Sequence, residues 1–243
     1  MKHRSVDAQP PLFCGECNLG RHAIYGPTRC ARPDEVSIRR RNVASYGPQK
    51  TFLRQGETVS HIYTLYSGWA CQFIQLPDGR RQILSFLVPG DPILLEMLFL
   101  PSMPLPFSIK AITDVTVCAF THDSMKDLIH SSEPQQQEVR EVMHRNLARI
   151  SHRLVDLGRR SALGRLAQLL SELEERLRRR NLSVDGRFFF PVLQEHLADA
   201  LGLTPVYVNR LMDRLRQLEL IEFGNRTMTI RDPAQLREIA HEE

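Results

Sequence analysis

Apolar and polar positions divide this chain into three regimes. From about residue 46 to 120 the period is close to two. Runs such as HIYTLYSGWACQFIQL and RQILSFLV are rich in β-branched and aromatic residues, as strands are. Between them PDGR, residues 77–80, carries hairpin chemistry, and Gly56, Gly68 and Gly90 mark further turns. Many short strands with regular turns predict a small antiparallel barrel or roll. Residues 89–111 are apolar but interrupted by prolines, which predicts a loop with a short helix and then a return strand; residues 112–120 are expected to be the last strand.

The second regime is helical. A helix is expected near His122, and after Pro134 a long one from about 135 to 157. Val139, Met143, Leu147, Ile150, Leu154 and Leu157 recur along it at spacings of four and three, a heptad seam. A seam of this kind fits a two-helix dimer contact better than packing on its own domain. Arg145, Arg149, Arg153, Arg159 and Arg160 flank it as a solvated basic face. Gly158 predicts a hinge. A further helix from Ala162 to about residue 180 buries Leu163, Leu166, Leu169, Leu170, Leu173 and Leu177. Arg178, Arg179 and Arg180 at its end suit a phosphate contact and the helix dipole equally well.

The third regime, VLQEHLADALGLTPVYVNRLMDRLRQL at 192–218, has the grammar of a helix-turn-helix. Leu193, Leu197, Ala198 and Leu201 fall on one face of a first helix. Gly202 permits a left-handed turn, Thr204 is an N-cap and Pro205 occupies the first helical position. In the second helix Val208, Leu211, Leu215 and Leu218 turn inward, leaving Val206, Tyr207, Asn209, Arg210, Asp213 and Arg214 outside. The first residues of such a helix reach base edges in the major groove. Arginine can donate twice to guanine, asparagine can pair with adenine, and a valine can pack on a thymine methyl. Beyond it, LELIEFGNRTMTIRD predicts a hairpin wing with Arg226 at its tip as a phosphate contact, followed by a terminal helix.

Composition narrows the class. The chain has 243 residues, 42% of them hydrophobic, and a net charge of +4, which permits nucleic acid without demanding it. No apolar run approaches the roughly 20 residues of a membrane span, and the N-terminus lacks a signal-peptide core, so a cytoplasmic protein is expected. Its cysteines are then thiols or metal ligands rather than disulfides. Three of the five, Cys14, Cys17 and Cys30, lie in the first 30 residues. A Cys-x-x-Cys pair can bind zinc, carry redox chemistry or ligate an iron–sulfur cluster. A redox or metal enzyme built on it is poorly supported, because no nucleophile–base pair or phosphate loop accompanies it.

The order of parts, a cysteine-bearing segment (1–35), a β-roll (36–121), a dimerisation-helix region (122–158) and a winged helix-turn-helix domain (159–243), resembles the Crp/Fnr superfamily of bacterial transcription regulators. The likeness rests on FLRQGETVSHIYTLYSGWACQFIQLPDGRRQILSFLVPGD, SALGRLAQLL and LADALGLTPVYVNRLMDRLRQLELIEF. It implies an α+β fold, a homodimer on two-fold related double-stranded DNA with recognition helices about 34 Å apart, and RNA polymerase as a partner. Where nucleotide-binding members hold a cyclic phosphate, the matching residues are Leu94, Leu95, Leu105 and Pro106, and no arginine occurs between Arg81 and Arg140; cyclic AMP is not expected. Fnr-like members hold a [4Fe–4S] cluster on three N-terminal cysteines and one in the roll. Cys118 in TDVTVCAFTHDSMKDL matches the roll cysteine, so the resemblance assigns Cys14, Cys17, Cys30 and Cys118 as ligands of an oxygen- or redox-labile cluster. The twelve residues between Cys17 and Cys30 exceed the usual loop. Cys71 is read as core. In the recognition helix the family's glutamate is replaced by Val206, so Thr204, Val206, Tyr207, Asn209, Arg210 and Arg214 are expected to meet a divergent operator.

Overall fold

The computed structural model describes residues 10–11, 14–17, 19, 36–38, 40, 42–130 and 133–241. It divides into two compact units, Met1–Ile74 with Ser85–Leu147, and Gln75–Leu84 with Ala148–Glu243.

Two antiparallel four-stranded sheets build the roll, all their residues lying in the first unit except Gln75 and residues 81–84. One has the order β1 (Asn42–Tyr46), β8 (Val115–Thr121), β3 (His61–Ser67), β6 (Pro92–Ile93). The other runs β2 (Thr51–Leu53), β7 (Ser108–Ala111), β4 (Ala70–Gln75), β5 (Arg81–Leu87). This is the roll that the period-two pattern predicts. Its core includes Ile62, Leu65, Phe86, Ile109 and Phe120, each at most 1% exposed. The expected short helix after β6 is a 3-10 turn, Leu95–Leu98. The last strand begins at Val115 and not at 112: Ile112 and Thr113 instead donate their amides to the Trp69 carbonyl in a turn.

Helix α1 (His122–His130) follows β8, and α2 (Glu133–Arg159) is a continuous helix of 27 residues. The hinge expected at Gly158 is absent, because the helix passes through it. The break falls three residues later, where Ser161 leaves helical geometry and its side chain accepts the Gly164 amide at 3.0 Å. A hydroxyl cap set this boundary more firmly than a glycine did.

In the second unit, α3 (Ala162–Arg178) buries Leu166, Leu169, Leu170, Leu173 and Leu177. It is tied to α2 through Glu172, which meets Arg149 at 3.5 Å, Arg153 at 3.2 Å and Arg176 at 3.1 Å. The strands β9 (Ser183–Val184), β10 (Arg187–Phe189), β11 (Ile221–Gly224) and β12 (Thr227–Ile230) form a sheet of order β11-β12-β10-β9. Two helices, α4 (Gln194–Leu201) and α5 (Pro205–Gln217), lie in sequence between its halves, and α6 (Pro233–His241) closes the unit against α3.

Candidate nucleic-acid interface and cysteine site

The turn between α4 and α5 forms as its residues dictate. Gly202 caps α4 with φ 65°, the left-handed region where a side chain is strained. Thr204 then caps α5, its hydroxyl accepting the Tyr207 amide at 3.3 Å, with Pro205 opening the helix. Val208 and Leu215 are fully buried, Leu211 and Met212 nearly so, and Ala198 is buried on α4. Leu193, expected on the inner face of α4, is instead its N-cap residue and is exposed, and Leu218 is only half-buried. Both sit at a helix end, where the chain turns away from the packed face.

Every predicted reader is on the open face. Thr204, Val206, Tyr207, Asn209, Arg210 and Arg214 are exposed, as is Arg226 at the β11–β12 turn. Asp213 is half-buried and paired with Arg216. Among the described residues, neither Arg210 nor Arg214 takes part in an ion pair, so both guanidinium groups point charge outward without an internal acid. Gln194, which the sequence pattern passed over, donates to Asn209 Oδ1 at 2.6 Å. That bond fixes the amide of Asn209 from the neighbouring helix. The only cue to it in sequence was the polar residue opening α4.

The seam on α2 is narrower than its spacing predicted. Val139 is buried within the chain at 2% exposure, whereas Leu147, Ile150 and Leu154 are 64%, 58% and 69% exposed. Met143 and Leu157 are half-buried, and the Leu157 Cδ2 methyl lies 3.7 Å from where a Cβ on Gly202 would sit. An intact heptad pattern cannot show which of its rungs the chain itself covers.

Cys14 opens a 3-10 turn, Cys14–Glu16, and Cys17 follows it, its amide donating to the Cys14 carbonyl at 3.2 Å. Cys118 lies in β8 between Val43 of β1 and Thr64 of β3 and is 8% exposed. Burial pushes the Cys118 thiol up to about 11, Arg40 beside it opposes this, and both Cys14 and Cys17 are close enough to add to the rise. Cys14 and Cys17 thus act on the Cys118 thiol through space. The fourth predicted ligand, Cys30, lies outside the described residues. Among the described residues no group of three or more histidine, cysteine, aspartate or glutamate side chains could by itself hold a metal ion. Cys14, Cys17 and Cys118 therefore do not come together as a ligand set. Cys71 is buried in β4, as expected. In the roll, Leu94, Leu95 and Leu105 are buried apolar side chains and Pro106 is exposed.

A β-roll, a long helix with an open apolar stripe and a winged helix-turn-helix together define a DNA-binding regulator rather than an enzyme. Residues 43–132 match the cyclic nucleotide-binding domain family, and residues 164–239 the Crp-like helix-turn-helix domain. The chain is 31% identical over 195 residues to the transcriptional activatory protein AadR of Rhodopseudomonas palustris, covering 80% of each. It is 29% identical over 231 residues to the nitrogen fixation regulation protein FixK of Bradyrhizobium diazoefficiens, covering 94% of each. The structure of FixK2 from Bradyrhizobium japonicum superposes with a TM-score of 0.72 at 25% identity, over 83% of this chain and 98% of that one. This chain belongs to the Crp/Fnr family of transcription regulators. No helix among the described residues is long and apolar enough to cross a membrane.

Proposed function

We propose that this chain is a cytoplasmic, homodimeric transcription activator whose DNA binding is gated by a [4Fe–4S] cluster on Cys14, Cys17, Cys30 and Cys118. What supports the gating is that Cys14 and Cys17 lie close enough to the buried Cys118 to act on its thiol. Thiolates are the donors an iron–sulfur cluster takes. Such a cluster supplies a centre that oxidants dismantle. The chain's own residues do the rest. Cys118 anchors the site in β8, whose neighbouring strands bury it. Helix α2 offers Leu147, Ile150 and Leu154 to a second copy. The paired α5 helices then read two half-sites through Tyr207, Asn209 and Arg210, with Thr204, Val206, Arg214 and Arg226 at the flanks. Activation is carried over from AadR, a transcriptional activatory protein, and RNA polymerase as the partner is what membership of the family implies. Cyclic AMP is not proposed as a ligand, since the matching positions are apolar.

A second reading keeps the DNA binding and drops the cluster. It is favoured by the lack of a closed ligand set among the described residues and by the long Cys17–Cys30 loop. Purification without oxygen separates the two. The first expects a coloured, iron-bearing protein that loses its iron in Cys118→Ala. A colourless, iron-free wild type that binds DNA tightly leaves only the second.

A further inference from the structure

The cysteine segment is tied down by bonds that the chain makes itself. The Cys14 amide donates to Ser37 Oγ at 2.8 Å. Arg40 Nη1 donates to the Pro11 carbonyl at 2.9 Å, and its charge lies close enough to the Cys118 thiol to oppose the rise that burial causes. Arg40 also lies three residues before Val43, which pairs with Cys118 across β1 and β8. The Arg40 amide is itself bonded to the Val36 carbonyl at 3.0 Å, so residues 36–38, a helical turn, fix the root of its side chain. These bonds tie residues 11 and 14 to residues 40 and 37 at the entry to β1.

We infer that Arg40 is the positioning residue of the cysteine site, a guanidinium clip that holds the Cys14–Cys17 turn beside Cys118 before any metal arrives. The inference rests on reading these cysteines as one site. Arginine suits this role because its planar fork directs a fixed donor at the Pro11 carbonyl while the rest of the guanidinium faces the Cys118 thiol. Facing thiols that become thiolates on ligation, the guanidinium charge also offsets part of the negative charge gathered there. A lysine offers one compact ammonium and cannot span both partners in the same way.

The test uses full-length, iron-free protein and hydrogen exchange read by mass spectrometry. In Arg40→Met, exchange across residues 10–19 is expected to rise roughly tenfold or more, the loss of a hydrogen bond to a charged donor. Peptides from β8 keep their wild-type protection. Arg40→Lys recovers only part of the protection, and it carries the comparison if Arg40→Met does not fold. Unchanged exchange over 10–19 overturns the inference. So does a rise that spreads equally to β8, which marks Arg40 as a general stability residue. Iron content separates this inference from the cluster reading. A wild type that carries no iron even when purified without oxygen, yet whose segment is released in Arg40→Met, ends the cluster and supports the clip. A wild type that carries iron when so purified, and whose iron-free form is matched by Arg40→Met in protection, ends the clip alone.

Discussion

At the scale of single residues, Arg210 and Glu96 show how exposure and burial give a side chain opposite roles. Arg210 stands exposed on α5 with no internal acid to neutralise it among the described residues. Replacing it with alanine is expected to weaken operator binding by about 1–3 kcal/mol and relax preference at one base pair, read in a binding selection. A selection that returns the wild-type preference removes Arg210 from the readers. Glu96 lies in the 3-10 turn of the roll, where burial raises its carboxyl above the ordinary value. The folded chain therefore holds that proton to a higher pH than the unfolded chain, whose glutamate titrates near about 4.3. Stability falls as pH rises through that window, and the penalty is complete above the folded value. Glu96→Gln is expected to raise the thermal midpoint at pH 7, and to lose the advantage when both proteins are melted below pH 4. The recognition face was legible in sequence because helical spacing sorts inward from outward residues. Ser37 and Arg40 were not, because their bonds to Cys14 and Pro11 join segments 23 and 29 positions apart with no periodic signal.

At the scale of elements, local chemistry decided where helices stop, and magnitudes distinguish the devices. Gly202 and Gly68 both have positive φ. A Cβ on Gly202 meets nothing nearer than 3.7 Å, so Gly202→Ala suffers only the backbone strain, about 1–2 kcal/mol. A Cβ on Gly68 would lie 1.9 Å from the Asp114 carbonyl oxygen, so Gly68→Ala must displace the backbone as well. Denaturant melts should rank Gly68→Ala as the costlier of the two. The joint between α2 and α3 depends on charge instead. Glu172 serves Arg149, Arg153 and Arg176 while 19% exposed, and Glu172→Ala removes one carboxylate shared by three half-buried cations. A loss of about 2 kcal/mol is expected, between the values for exposed and buried pairs, and shrinking in high salt. None of this was visible from residue spacing, where the arginines of α2 read as a solvated face. The pattern records which positions are charged and is silent on the partner helix that converges on them. The glycine at 158 misled for a related reason: a glycine is permitted to end a helix, while Ser161 supplies a bond that does.

At the scale of the whole molecule, α2 carries an apolar stripe that the single chain leaves exposed. Leu147, Ile150 and Leu154 are more than half exposed on one helix, and Val155 beside them is 50% exposed. Scattered apolar residues on a surface need no explanation, but consecutive rungs of a heptad seam do. In the homodimer proposed above, a second copy of the same helix would supply knobs of matching size and spacing, and its two-fold axis would pair the recognition helices. Because Ile150 is exposed in the monomer, Ile150→Glu should change the stability of the isolated chain by no more than about 0.5 kcal/mol. In the dimer the same change buries a carboxylate against its own copy, like charge against like, and the association is expected to fail. Each recognition helix then meets its half-site alone. Linking two such sites raises affinity by about 10²–10⁴, so operator binding should fall by at least about 100-fold. Sedimentation velocity reads the first effect and fluorescence anisotropy on a two-fold related operator the second. A variant that stays dimeric moves the interface elsewhere on the chain. A variant that becomes monomeric yet binds the full operator as tightly as before severs the link between the α2 seam and DNA recognition.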